Sequence, residues 1–120
     1  MDIKTLTDYC LSKKGSHEDY PFSDDVMVIK VASKMFALLS NRNNQLNISL
    51  KCDPFIAENL RRQYTSVIPG YHLNKSHWNT VIMDDSIPDP DLFNMIDHSY
   101  ELVLKQLKKF ERDAVQETSH

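Results

Sequence analysis

Eleven side chains are the candidates for chemistry in this 120-residue chain: Lys34, Lys51, Arg61, Arg62, Tyr71, His72, Asn74, Lys75, His77, Trp78 and Asn79. Seven of them crowd into residues 69–81, Pro-Gly-Tyr-His-Leu-Asn-Lys-Ser-His-Trp-Asn-Thr-Val, which also hold the single tryptophan and one of two glycines. Lys and Arg neutralise phosphates, His and Asn offer hydrogen bonds, and Tyr71 or Trp78 can stack on a base. The chemistry is therefore anion or nucleic-acid contact. The competing reading makes Lys and Arg solvated gatekeepers beside strands, and Trp78 a core anchor whose indole N–H finds one partner.

Charge is unevenly spread along the chain. The net charge is −3, yet residues 26–83 carry seven Lys and Arg against two acids, a local +5. Residues 1–25 (net −3) and 84–120 (net −5) are acidic. A surface built from the middle segment would attract anions while the ends keep the whole protein acidic.

Metal and catalytic chemistry find little support. His72 and His77 are five apart, so on a strand they face opposite sides, and no nearby cysteine or paired carboxylate completes a tetrahedral set. Cys52 beside Asp53, with a histidine close by, has the types of a nucleophile and base. It falls on the apolar phase of its strand, where burial makes a thiol inert. No Gly-rich phosphate loop, Gly-x-Ser-x-Gly or HExxH sequence occurs. The Asp84-Asp85 and Asp89/Asp91 pairs are accounted for by a turn and a helix N-terminus. Cys10 and Cys52 form no CxxC pair, so no disulfide framework or zinc knuckle is indicated. The expectation is a non-enzyme without metal or cofactor.

The elements that must position these residues follow from periodicity. Asp2 caps a helix over residues 2–14, ended by Gly15. Residues 17–22 contain Pro21 and read as an edge strand. A hairpin of residues 26–31 and 35–39 turns at Ala32-Ser33-Lys34. After a polar loop at 41–45, Leu46, Ile48, Leu50 and Cys52 alternate with Asn47, Ser49 and Lys51, the period of a half-buried strand. Asp53-Pro54 opens a second helix, with Arg61 and Arg62 near its C-terminus. Residues 71–75 read as a short partner strand for the strand at 78–83. Asp89-Pro90 opens one long helix whose stripe runs from Leu92 to Phe110, to about residue 112. The order is helix, strands, helix, strands, helix, without βαβ alternation. This predicts an α+β fold: an antiparallel sheet with helices packed on one face and an open polar face carrying Asn47, Ser49 and Lys51.

The motif Pro-Gly-Tyr-His-Leu-Asn-Lys-x-His-Trp-Asn-Thr-Val, preceded by Leu50-Lys51-Cys52-Asp53-Pro54 and by Lys34-Met35-Phe36-Ala37-Leu38, resembles the MmcQ/YjbR family of small bacterial proteins. The resemblance runs from Tyr20-Pro21-Phe22 to Ser99-Tyr100-Glu101-Leu102-Val103. It implies a frataxin/CyaY-type α+β arrangement and a double-wing DNA-binding motif, the hairpin loops at Ser33 and at 41–45 being the wings. Ser33 stands where relatives often have glycine, which leaves that turn type open. Iron is not carried over with the fold, since only Asp2 and Asp8 lie in the first helix.

Composition fits one domain, residues 1–112, followed by a polar tail at 113–120. With 41% hydrophobic and 26% charged residues, no apolar run near 18 residues and no signal-peptide layout at the N-terminus, a cytoplasmic monomer without membrane contact is expected. Two functions are open. One is a non-enzymatic module binding double-stranded DNA through the basic centre. The other is a protein-interaction or small-anion module around Tyr71, His72, Asn74, Lys75 and Trp78.

Overall fold

Caps and turns set the element boundaries in the computed structural model, which describes residues 1–118. Helix α1 (Ile3–Leu11) begins where the Asp2 carboxylate accepts the Thr5 N–H at 2.9 Å. Gly15, at φ +73, turns the chain into β1 (Ser16–Asp19). Strands β2 (Met27–Val31) and β3 (Lys34–Arg42) are joined through Ala32, which takes the left-handed φ of 51, whereas Ser33, at the position where relatives often have glycine, does not take a positive φ. β4 (Gln45–Lys51) follows a two-residue turn, Asn43-Asn44, with both φ angles positive (54 and 62). That is the backbone twist a tight hairpin requires. The expected loop at 41–45 is thus strand at both ends.

Helix α2 (Pro54–Gln63) starts at Asp53, whose carboxylate accepts the N–H groups of Phe55 and Ile56. β5 (Val67–Pro69), β6 (Trp78–Ile82) and α3 (Asp89–Gln106) follow. The sheet runs β1-β2-β3-β4-β6-β5 with every neighbour pair antiparallel. It is the expected α+β architecture. No strand forms at 71–75. Pairing of β5 with β6 closes at the Gly70 N–H to Trp78 C=O bond (2.8 Å), and His72 then adopts φ 57, which leads the chain off the sheet plane. A Cβ on Gly70 would lie 2.7 Å from the Trp78 Cβ, so glycine is required at this crossing.

One face of the sheet meets the helices. Leu6 and Cys10 of α1, with Leu92, Ile96 and Val103 of α3, pack on Ile29, Val31, Ala37, Leu39, Ile48, Leu50 and Val81. Each such aliphatic side chain contributes about 1.5–3 kcal/mol on burial. The β2–β3 ladder bulges between Ile29 and Lys30, leaving Phe36 without a strand partner. Its ring meets Tyr100 edge-on at 5.3 Å, and its carbonyl accepts the Ser99 hydroxyl at 2.6 Å. Ser99 Oγ also accepts the Lys51 N–H at 2.9 Å, so one small hydroxyl on α3 completes two backbone groups of the sheet.

The single last helix expected to about residue 112 is in fact two. Leu107 and Lys108 are extended (ψ 151), and α4 (Lys109–Glu117) starts in a new direction. A straight continuation would have carried Phe110 along the core stripe. With the bend, Phe110 stays 71% exposed and Val115 is buried, where it meets Gly15. The Lys105 carbonyl accepts from Arg112 Nη1, which steadies the joint. Residues 113–117, read from sequence as polar tail, complete α4, while Ser119 and His120 lie outside the described residues. No helix among the described residues is long and apolar enough to cross a membrane.

Candidate functional site

Strand pairing brings part of the predicted set to one end of the sheet. β3 begins at Lys34, β4 ends at Lys51, and Lys51 pairs with Trp78 at the start of β6. The Cys52 N–H donates to the His77 carbonyl at 2.8 Å, fixing the 74–77 turn beside that end. Lys34, Lys51, Lys75 and His77 therefore share an edge. Lys51 Nζ donates to the neutral Gln106 side chain (2.6 Å), and Lys75 Nζ donates to the Gly70 carbonyl (3.0 Å). Among the described residues, neither these two lysines nor Lys34 has a carboxylate partner, whereas Lys4, Lys13, Lys30, Arg62 and Lys109 each have one. Burial holds the Lys51 ammonium below the usual lysine range, and the positive charge of Lys34 pushes it the same way. Positive charge is thus gathered at this end without a direct ion pair, although the Glu111 carboxylate lies nearby, accepting the Ser33 N–H at 3.1 Å.

Other predicted residues are committed to structure. Arg61 Nε donates to Asn79 Oδ1 at 2.7 Å and its Nη2 to the Lys75 carbonyl, while Asn79 Nδ2 donates to the Ala57 carbonyl at 3.3 Å. This clamp ties α2 to β6, with Asn79 buried. Asn74 Oδ1 accepts the Ser76 and His77 N–H groups and so shapes its own turn. Trp78 is buried, which removes it as a stacking platform for a base. Arg62 lies on the outer side of α2 beside Glu58 at 3.5 Å. The proposed wings also separate: the Ala32-Ser33 and Asn43-Asn44 turns cap opposite ends of β3, about 27 Å apart at strand rise, and point in opposite directions.

Tyr71 and His72 belong to a different place. The second sheet face, expected to be open, is covered at its centre: Asn47 and Ser49 are 6% and 8% exposed. The 71–73 segment folds back over β6 and residues 22–26 lie over β3, which leaves a trough of about 340 Å³. Its floor holds Ser40, Asn47, Ser49 and Thr80. Ser49 and Thr80 hydroxyls bond each other at 2.7 Å, and Thr80 Oγ1 accepts the Tyr71 N–H at 3.0 Å. Arg42, absent from the sequence candidates, lays its guanidinium over the Tyr71 ring with Cζ 3.4 Å from the centroid, and His72 lies against the same ring at 3.9 Å. His72 and His77 thus sit at separate sites. The usable signal for Arg42 was strand phase, since Arg42, Ser40 and Asn47 share a face once β3 extends to the turn.

A second cavity of about 260 Å³ lies between α2 and α3. Two of its polar groups are paired within the fold: Tyr64 Oη donates to Asp91 at 2.6 Å and His98 Nε2 accepts the Asp53 N–H at 3.2 Å. Cys52 lines it but is buried, and its thiol is pushed up to about 11, first by burial and then by the Asp53 charge. A neutral thiol is a poor nucleophile.

Comparison with known proteins places these features in a wider group. The family model YjbR matches residues 11–102. The Escherichia coli K12 protein YjbR is 37% identical over 112 residues, covering 93% of this chain and 95% of that one. YbdF of Escherichia coli O157:H7 is 34% identical over 96 residues, 80% of this chain and 79% of the other. Both relatives carry the name of an uncharacterised protein. The crystal structure of Deinococcus radiodurans DR2400, a DUF419 domain, superposes with a TM-score of 0.87 at 38% identity, over 95% of this chain and 87% of that one. A crystal structure from Pseudomonas syringae gives a TM-score of 0.74 at 26% identity, covering 85% of this chain and 98% of the other.

Proposed function

The chain belongs to the YjbR family, and from that premise we propose that it is a non-enzymatic module that holds the phosphate backbone of double-stranded DNA at the Lys34–Lys51 end of its sheet. One observation carries the reading: Lys34 and Lys51 lie close enough to repel one another, Lys75 follows at the same end of the sheet, and among the described residues none of the three makes an ion pair with a carboxylate, the nearby Glu111 bonding the Ser33 N–H instead. A phosphate at this end relieves the mutual repulsion of Lys34 and Lys51 and replaces weak carbonyl and amide partners with charge-assisted bonds. His77 adds a hydrogen-bonding side chain at the same edge. The contact is to the backbone, because the two hairpin turns face away from one another and Trp78 is buried. Such binding follows phosphate position and carries little sequence preference.

The test is anisotropy of a labelled mixed-sequence duplex titrated with the protein at two salt concentrations. Three phosphate contacts predict an affinity loss of about 40-fold between roughly 50 and 200 mM salt. The Lys34→Glu/Lys51→Glu double variant should abolish binding. Unchanged affinity in that variant would move the site elsewhere, and absence of binding by the folded wild type at the lower salt would remove DNA as the partner.

A further inference from the structure

A second binding site lies in the trough, on the opposite side of β4 from the helices. Its floor contains a deeply buried polar group that makes no hydrogen bond among the described residues. Asn47 is 6% exposed, and its Oδ1 is fully buried without a hydrogen-bond partner. Among the described residues its Nδ2 donates to no protein group either, so the amide of this lining residue has both a donor and an acceptor left unpaired. The neighbouring hydroxyls behave differently, since Ser49 and Thr80 satisfy one another and hold the Tyr71 backbone. A buried amide left unpaired is destabilising relative to an apolar side chain of similar shape. Its presence beside satisfied neighbours points to a partner from outside the chain.

The rim supplies the second half of the recognition. Arg42 makes neither a hydrogen bond nor an ion pair with its guanidinium among the described residues, and the group lies over the Tyr71 ring. Stacking fixes the plane of the guanidinium and leaves its N–H fork to meet an anion in two parallel bonds. Tyr71 is itself held in place, by the Thr80 hydroxyl below and by His72, whose left-handed φ of 57 turns its ring against Tyr71. Phe22, Val26, Leu38 and Leu73 provide apolar walls between floor and rim, and Asp25 adds one carboxylate to the lining, which the anion must avoid by lying toward Arg42. The space of about 340 Å³ is at the lower end of small-molecule sites.

We infer that the trough binds a small anion bearing a flat donor–acceptor edge, the chemistry of a purine nucleoside monophosphate, with Asn47 pairing to the base edge and Arg42 to the phosphate. An Asn amide pairs in bidentate fashion with the N6/N7 edge of adenine, and the apolar walls suit the base faces. This site shares no residue with the Lys34–Lys51 end, and its partner is a free small molecule.

Titration with adenosine monophosphate, followed by amide and Asn side-chain NMR signals, tests it, with adenosine and inorganic phosphate as half-ligands. Saturable shifts of the Asn47 side chain and of residues 71–73 are expected. Asn47→Leu should weaken the binding about tenfold or more and, in the free protein, raise Tm by about 3 °C as the unpaired amide is removed. Arg42→Met should weaken the nucleotide but leave adenosine unaffected, and Lys34→Glu/Lys51→Glu should bind the nucleotide as the wild type does. Absence of saturable shifts at millimolar nucleotide overturns the inference. So does an Asn47→Leu variant with lowered Tm and unchanged nucleotide affinity, which would make the amide a structural group.

Discussion

Successive residues of β4 look in opposite directions and meet two kinds of interior. Ile48 and Leu50 enter the helix-covered face, where contacts are apolar and the stray backbone groups are completed by Ser99. Asn47 and Ser49 enter the trough, and they are nearly as buried. The faces differ in polar satisfaction: the helix face is closed chemically, whereas the trough keeps an unpaired amide and an unpaired guanidinium. Depth of burial therefore does not separate a folding surface from a binding surface in this protein. What separates them is whether the polar groups are already spoken for.

Mutations on β4 put numbers on the contrast. Ile48→Ala removes a fully buried side chain from the helix face and should cost about 2–5 kcal/mol in urea unfolding. Ser49→Ala, one residue on, should cost only about 1 kcal/mol, because the Thr80 hydroxyl keeps its bond from the Tyr71 N–H. Equal losses would make the trough floor part of the core and erase the distinction.

The smallest effect tests whether the helix face can be loosened without touching the trough. The Thr5 N–H, and after it the Thr5 side chain, draw the exposed Asp2 carboxyl below the usual aspartate range. Its folded pKa is depressed, so its contribution is present above the unfolded value of about 4 and is lost as pH falls through the folded one. Asp2→Ala should lower Tm slightly at neutral pH, with the gap to wild type closing in acid. NMR signals of residues 71–73 should stay in place. A gap that persists below both pKa values would mean that the cap does not act through its charge.

The sequence was most legible where one residue imposes a local geometry. Asp2 and Asp53 cap α1 and α2 as expected, because a carboxylate before a helix has N–H groups within reach whatever the tertiary context. Alternation in β4 assigned its core face correctly, Ile48 and Leu50 packing beneath the helices. The polar face was misjudged because period-2 patterning assigns sides but does not show that distant segments, 22–26 and 71–73, will cover one of them. Similarly, the stripe from Val103 to Phe110 continued at helical spacing. The break at Leu107 and Lys108 serves the burial of Val115 against Gly15, a contact 100 residues apart in sequence.

Charge shows the division most clearly. Sequence alone set the excess of cations over residues 26–83 and the types available to meet an anion. The pairing of β3, β4 and β6 decided that Lys34, Lys51 and Lys75 share an end, that Arg61 spends its guanidinium on Asn79 and on backbone carbonyls, and that Arg42 stands over Tyr71. Local propensity is written in neighbours along the chain, but a long cation's partner is chosen by whatever strand and loop pairing brings within its reach.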